Sequence, residues 1–192
     1  MIIRCFMVDA TKYVSVFVKQ IPLDSIIFDP EINRGKYCCM PYRSNRHGCP
    51  NFGSPKKPFC PPNSPYYGEV IRMWNVFHLI YAIFDLKSYK EEMRAEWKRK
   101  NAEKGIDKEP TELQVGCSLY WQQQVKAMLW DKIRMIAGRN DLILSCGSGY
   151  KDKYYSLESV GIDVFQTYRN NGIDFEEQPI NKVVMCSLVG KK

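Results

Sequence analysis

Residues 76–84, VFHLIYAIF, are the stretch on which the fold turns. Aromatic, β-branched and aliphatic side chains fill it almost completely, with His78 as the interruption, and this composition reads as a buried strand. The apolar run ends at Leu86 after Asp85, well short of the roughly 18 residues that a membrane-spanning helix needs. Residues 88–104 follow as a strongly helix-forming segment stopped by Gly105. A second helix opens at Thr111 with Gln114 three residues on, a capping-box pattern, and runs to about Ala137 with Gly138 as its stop. Cys117, Trp121, Val125, Met128, Leu129 and Ile133 fall on one face of it at helical spacing. Residues 141–146, DLILSC, read as another buried strand. Ser156 caps a helix, SLESVGIDVFQTYRNN, ended by Gly172, and residues 182–189 close as a last strand.

Strands and helices thus alternate through the second half, which points to the α/β class. The expectation is a single layered domain over residues 1–192, with a mixed sheet, packed helices and a long cysteine- and proline-rich loop. Upstream of Phe28 the chain suggests one or two strands, because Tyr13, Ser15 and Phe17 alternate with Val14, Val16 and Val18. Residues 64–65, Ser-Pro, can begin a short helix through Glu69 and Arg72, with proline at its first position. Arg4, Asp9 and Lys12 interrupt the apolar N-terminal segment, so it reads as a strand rather than a secretory leader. A cytoplasmic location and no membrane partner are the expectation.

The loop is residues 29–63. Within and just beyond it, residues 37–65, YCCMPYRSNRHGCPNFGSPKKPFCPPNSP, hold four of the chain's eight cysteines and almost no aliphatic side chain. Such a segment cannot bury enough apolar surface to fix its own backbone, so something else must order it. In a reducing compartment clustered cysteines indicate metal, catalysis or burial rather than disulfides. Prolines after Cys49 and Cys60 push both cysteines toward extended backbone and stiffen the loop that presents them.

The net charge of +7 is partly concentrated on Arg43, Arg46, Lys56 and Lys57 among the loop cysteines, and on Arg94, Lys98, Arg99, Lys100 and Lys104. A basic balance attracts polyanions such as RNA and also small anionic substrates. The charges of both signs across residues 88–105 also suit a solvated helix.

The segment GCPNFGSPKKPFCPP, preceded by PYRSNRHGCPN, resembles an uncharacterised family of predicted metal-binding proteins marked by a Gly-Cys-Pro-Asn-(Phe/Tyr)-Gly loop followed by Cys-Pro-Pro. CCMPY upstream, CSLYWQ at residues 117–122, and the Glu-x-x-Gly-(Ile/Val)-Asp-Val pattern carried by Glu158, Gly161, Ile162, Asp163 and Val164 are similar to the same family. The resemblance implies a bound metal, in the form of an iron–sulfur cluster, and no particular reaction. Many relatives carry a second cysteine-rich group before the Glu-x-x-Gly pattern, where this chain has Cys146 alone. A second cluster is therefore not expected.

Cys39, Cys49 and Cys60 are spaced widely enough to approach one centre from separate turns, and the resemblance favours Cys39 over the adjacent Cys38. Three thiolates on a 4Fe–4S cluster leave one iron needing a further ligand. Cys117, early in a capped helix where the dipole favours thiolate, is the expected fourth; Cys38, Cys146 or an open position are alternatives. Packing is the competing reading of Cys117, as it is the expected role of Cys5 and Cys186 in apolar strands. Zinc on Cys39, His47, Cys49 and Cys60 is the rival metal, although the close Cys-x-x-Cys knuckles common in zinc sites are missing. His78 reads as a satisfied core residue. Glu158 near a helix start either complements the dipole or faces the cluster as an acid–base group.

Two function classes follow. One is a cluster-carrying protein, whether or not an enzyme, acting on a small anionic or sulfur-containing substrate held by Arg43, Arg46, Lys56 and Lys57 between Tyr42, Phe52 and Phe59. The other is a non-catalytic, zinc-stabilised nucleic-acid- or protein-binding module whose aromatics stack on bases. No Walker loop, dinucleotide fingerprint or Ser-His-Asp arrangement is legible.

Overall fold

The computed structural model describes residues 8–41, 46–147 and 154–192. Cys5, Tyr42, Arg43 and most of the Gly-Ser-Gly segment after Cys146 lie outside them.

Four strands form one sheet: β1 (Val14–Ile21), β2 (Val76–Asp85), β3 (Leu142–Leu144) and β4 (Lys182–Lys191). Their order is β1-β2-β4-β3. Every pairing is antiparallel, so the expected mixed sheet is corrected to an antiparallel one. The reason lies in the connections. β1 reaches β2 through the cysteine segment, and β2 reaches β4 through the helices and β3, so no βαβ crossover places parallel neighbours side by side.

β2 and β4 are central and pair over their whole length, from Val76 opposite Lys191 to Asp85 opposite Lys182. Side chains alternate between faces. On one face Ile80, Ala82 and Phe84 of β2 join Met185 and Val189 of β4; on the other are Phe77, Leu79, Cys186 and Leu188. Both faces are covered, which is why β2 reads as a continuous apolar run rather than an alternating one.

Helices α2 (Leu86–Glu103) and α4 (Ser118–Ile136) cover the first face. Leu86, Tyr89 and Met93 come from α2; Trp121, Val125, Leu129 and Ile133 form the buried stripe of α4, one every four residues. Trp121 stacks on Phe84 with ring centroids 4.6 Å apart. The expected single helix from Thr111 to Ala137 is broken. The Thr111–Gln114 capping box closes as read but starts only the four-residue α3 (Glu112–Val115), and Cys117, with extended backbone, begins α4 afresh as its N-cap.

The second face is covered by irregular chain, by the short α1 (Pro30–Asn33) and by α5 (Val164–Asn170). Leu157, Val160, Ile162, Val164 and Tyr168 pack there on Phe77, Leu144 and Leu188. The helix expected across residues 156–171 is two pieces. A 3-10 turn, Glu158–Val160, ends at Gly161, whose φ of 93° is left-handed, and Asp163 then caps α5 by accepting from the Gln166 N–H. Ahead of the first piece, Ser156 Oγ accepts from the Ser159 N–H at 3.2 Å, while Leu157 stands at the N-cap position. The helix expected from residues 64–65 shrinks to the 3-10 turn Val70–Met73.

Five of the described basic residues of α2 form ion pairs: Lys90 and Arg94 with Glu112, Lys98 with Glu109, Arg99 with Glu96 and Glu103, and Lys100 with Glu96. Mixed charges of this kind suit a solvated helix. Among the described residues no helix is long and apolar enough to cross a membrane.

Candidate metal centre

Both ends of the cysteine segment are fastened to one short piece of chain, residues 158–163. Before the cysteines, Asp29 N–H donates to Gly161 O at 2.8 Å, and Asn33 Nδ2 donates to Ser159 O at 2.6 Å. Tyr37, immediately ahead of Cys38, donates its hydroxyl to Asp163 Oδ1 at 3.0 Å. After the cysteines, Ser64 Oγ donates to Ser159 O at 2.6 Å and the Tyr67 N–H to Val160 O at 3.0 Å. A segment that lacks aliphatic side chains is thus positioned by polar contacts to a piece of chain that the second core holds.

Within the segment, local turns present the thiols. The Cys39 N–H donates to Gly35 O at 2.9 Å, and the Cys49 N–H to Cys38 O at 2.7 Å. Gly48 lies between these strands of loop with φ 81°, and a Cβ there would stand 2.2 Å from Cys38 O, so only glycine fits. The Cys60 N–H donates to Lys57 O at 3.0 Å, and the Gly53 N–H to Pro61 O at 3.0 Å.

Cys38, not Cys39, is the inward member of the pair. Cys38 and Cys49 are half-buried, Cys60 is buried, and Cys39 is exposed. Burial pushes the Cys38 thiol up to about 12, helped by the neighbouring Cys49, Glu158, Cys60 and Cys39. The resemblance-based preference for Cys39 thus meets an exposed side chain, because adjacent residues on a turn point apart.

Cys117 lies elsewhere. It is half-buried at the N-cap of α4, the helix that covers the other face of the sheet. Cys186 is buried on the second face, as expected for packing, and burial drives its thiol well above 9.0. Cys146 follows β3; burial and the charge of Glu158 push its thiol to about 12, opposed by Lys126. His47 is exposed. His78, expected to be satisfied, has a buried Nδ1 with no hydrogen-bond partner among the described residues.

Glu158 is where the loop and the second core meet. The residue is half-buried, and desolvation raises the pKa of its carboxyl; Ser156 and Lys126 act in the opposite direction. Its charge reaches Cys38, Cys146, Cys186 and Tyr168. Lys126, from α4, was not legible as a site residue, since nothing in a helical repeat distinguishes one polar-face lysine from another. Of the expected aromatic walls, Phe59 packs on Tyr155 with centroids 4.9 Å apart, and Phe52 lies against Gly35.

Among the described residues no three Cys, His, Asp or Glu side chains already converge on a common metal position. As donors, the thiols of Cys38, Cys49 and Cys60, carried on turns of one segment, are of the type that suits a thiophilic metal. Scans of the chain against protein-family models, curated proteins and solved structures find no match. The motif residues and this geometry therefore carry the functional reading between them.

Proposed function

We propose that this protein is a metal-binding protein whose cysteine segment holds a 4Fe–4S cluster through Cys38, Cys49 and Cys60. The observation that supports the reading is the turn that bonds the Cys49 N–H to Cys38 O at 2.7 Å, on a segment where Cys38 and Cys49 are half-buried, Cys60 is buried and Cys39 is exposed. Once bound, such a cluster supplies an iron able to act as a Lewis acid or an electron carrier. The chain's own part is to hold the thiols together and to release their protons as metal enters. Gly48 keeps Cys49 against Cys38, and the Asn33, Tyr37 and Ser64 hydrogen bonds keep the segment over residues 158–163. Phe59 on Tyr155 adds an apolar wall beside Cys60. Arg46, Lys56 and Lys57 place positive charge along the same segment, which suits a small anionic or sulfur-containing substrate.

The test is anaerobic purification followed by iron, sulfide and zinc analysis. About four irons and four sulfides per chain support the reading. A colourless protein with one zinc turns it toward the structural-clamp alternative, in which RNA affinity would fall steeply with salt.

A further inference from the structure

We infer that the cleft between residues 22–28 and residues 68–72 binds a small apolar molecule carrying one ammonium group, with the Asp24 carboxylate as the partner of that charge. The two walls are the stretches of chain that lead into and out of the cysteine segment. They enclose about 460 Å³, inside the roughly 300–1,000 Å³ usual for small-molecule sites. Among the described residues no thiol lines the cleft.

The floor is apolar and fixed. Ile26 and Ile71 are buried in the second core, and Leu23 and Phe28 pack against it while keeping some surface exposed. Backbone contacts hold both walls to the same piece of chain. The Asp163 N–H donates to Ile27 O at 2.8 Å, Phe28 bridges to Ile162, and the Tyr67 N–H donates to Val160 O at 3.0 Å. The Ile71 N–H donates in turn to Tyr67 O at 3.0 Å, which carries that anchoring to the second wall. A ligand therefore meets a preformed surface and spends little binding energy on ordering it.

Charge selects the ligand. Asp24 and Arg72 line the rim, and both residues are exposed. Arg72 is already paired, its Nε 3.3 Å from Glu69 Oε2. The Asp24 carboxylate has no ion pair or hydrogen bond among the described residues. The rim thus carries one uncompensated negative charge above an apolar floor. A cation with a hydrocarbon body answers both features, whereas a carboxylate of the same shape meets repulsion.

Titration of the full chain with phenylpropylamine, phenylpropanol and phenylpropionate tests this, read from the NMR shifts of the Ile26 and Ile71 methyl groups. The amine should shift both methyls saturably with a Kd of about 10 mM or below, within reach of a fragment of this size. The methyls of Ile133, on the opposite face of the sheet, should not move. Phenylpropionate should bind about tenfold more weakly than the amine, since an attraction is exchanged for a repulsion, and the alcohol should fall between them. D24N, a change at an exposed position, should bring the three affinities within about threefold of one another. L23W, which fills the cleft, should remove the shifts in a protein that circular dichroism shows to be folded. Ile26 and Ile71 methyls unmoved by all three probes overturn the site. Phenylpropionate binding as tightly as the amine, or an unchanged preference in D24N, overturns the role of Asp24.

Discussion

Tyr37 and Asp163 are joined by a 3.0 Å hydrogen bond from hydroxyl to carboxylate, 126 positions apart in the chain. The same Asp163 oxygen accepts from the Gln166 N–H and so caps α5. One carboxylate thus starts a helix in the second core and holds the residue next to Cys38. Order in the cysteine segment is borrowed from that core.

Removing the hydroxyl with Y37F should cost about 1 kcal/mol of stability, the usual net worth of a hydrogen bond to a partly buried group. D163A should cost more, about 2 kcal/mol, because the cap is lost as well. Urea denaturation of metal-free protein measures both. Equal costs would mean that the cap and the tether are not both held by this carboxylate.

G48A should leave the fold intact and abolish metal retention. A Cβ there would meet Cys38 O at 2.2 Å on a backbone with φ 81°, so the turn that brings Cys49 to Cys38 must open. The neighbouring Gly53, with nothing within 4 Å of its would-be Cβ but φ 66°, should tolerate Asn, a residue that accepts left-handed backbone. Metal content and circular dichroism of G48A and G53N decide the point; full metal retention in G48A contradicts it.

L129A, in the middle of the α4 stripe, should cost about 2–5 kcal/mol through lost burial and the cavity left behind. Its effect on metal binding should be small, since that stripe packs on the face of the sheet opposite the cysteine segment. A metal-binding loss as large as that of G48A in a folded L129A protein would count against two separate cores.

Stability of the metal-free protein should decline in alkali. The Cys146 thiol holds its proton to about 12 when folded, against an ordinary value of 9.0. A raised folded pKa contributes stability that is complete below pH 9 and is lost as the pH climbs toward 12. Thermal melting across that window should show the fall, and C146S should flatten part of it. An identical slope in C146S would remove Cys146 as a contributor.

Much of this architecture can be read from the residues. VFHLIYAIF is continuous because β2 is buried on both faces, and the stripe at Trp121, Val125, Leu129 and Ile133 has the period of the helix it forms. The breaks were hidden by the same regularity. The apolar face runs on through Cys117, so nothing local marks the chain's turn at Gly116, and the Gly161 break hides inside a capped, helix-like pattern. The antiparallel order depends on how long connections close, which local composition does not encode. At the site, the cysteine motif was visible, but which of Cys38 and Cys39 points inward depends on a hydrogen bond from Cys39 to Gly35 and on Gly48 resting against Cys38. The seat of the cysteine segment on residues 158–163 depends on tertiary tethers from Asn33 and Ser64, which only the fold reveals.

The most direct measurement is the iron and sulfide content, per chain and without oxygen, of C38S, C39S, C49S and C60S purified side by side with the parent. The account predicts that C38S, C49S and C60S lose the cofactor while C39S keeps it. Retention in C49S and C60S, or a parent that carries neither iron nor zinc, would contradict it.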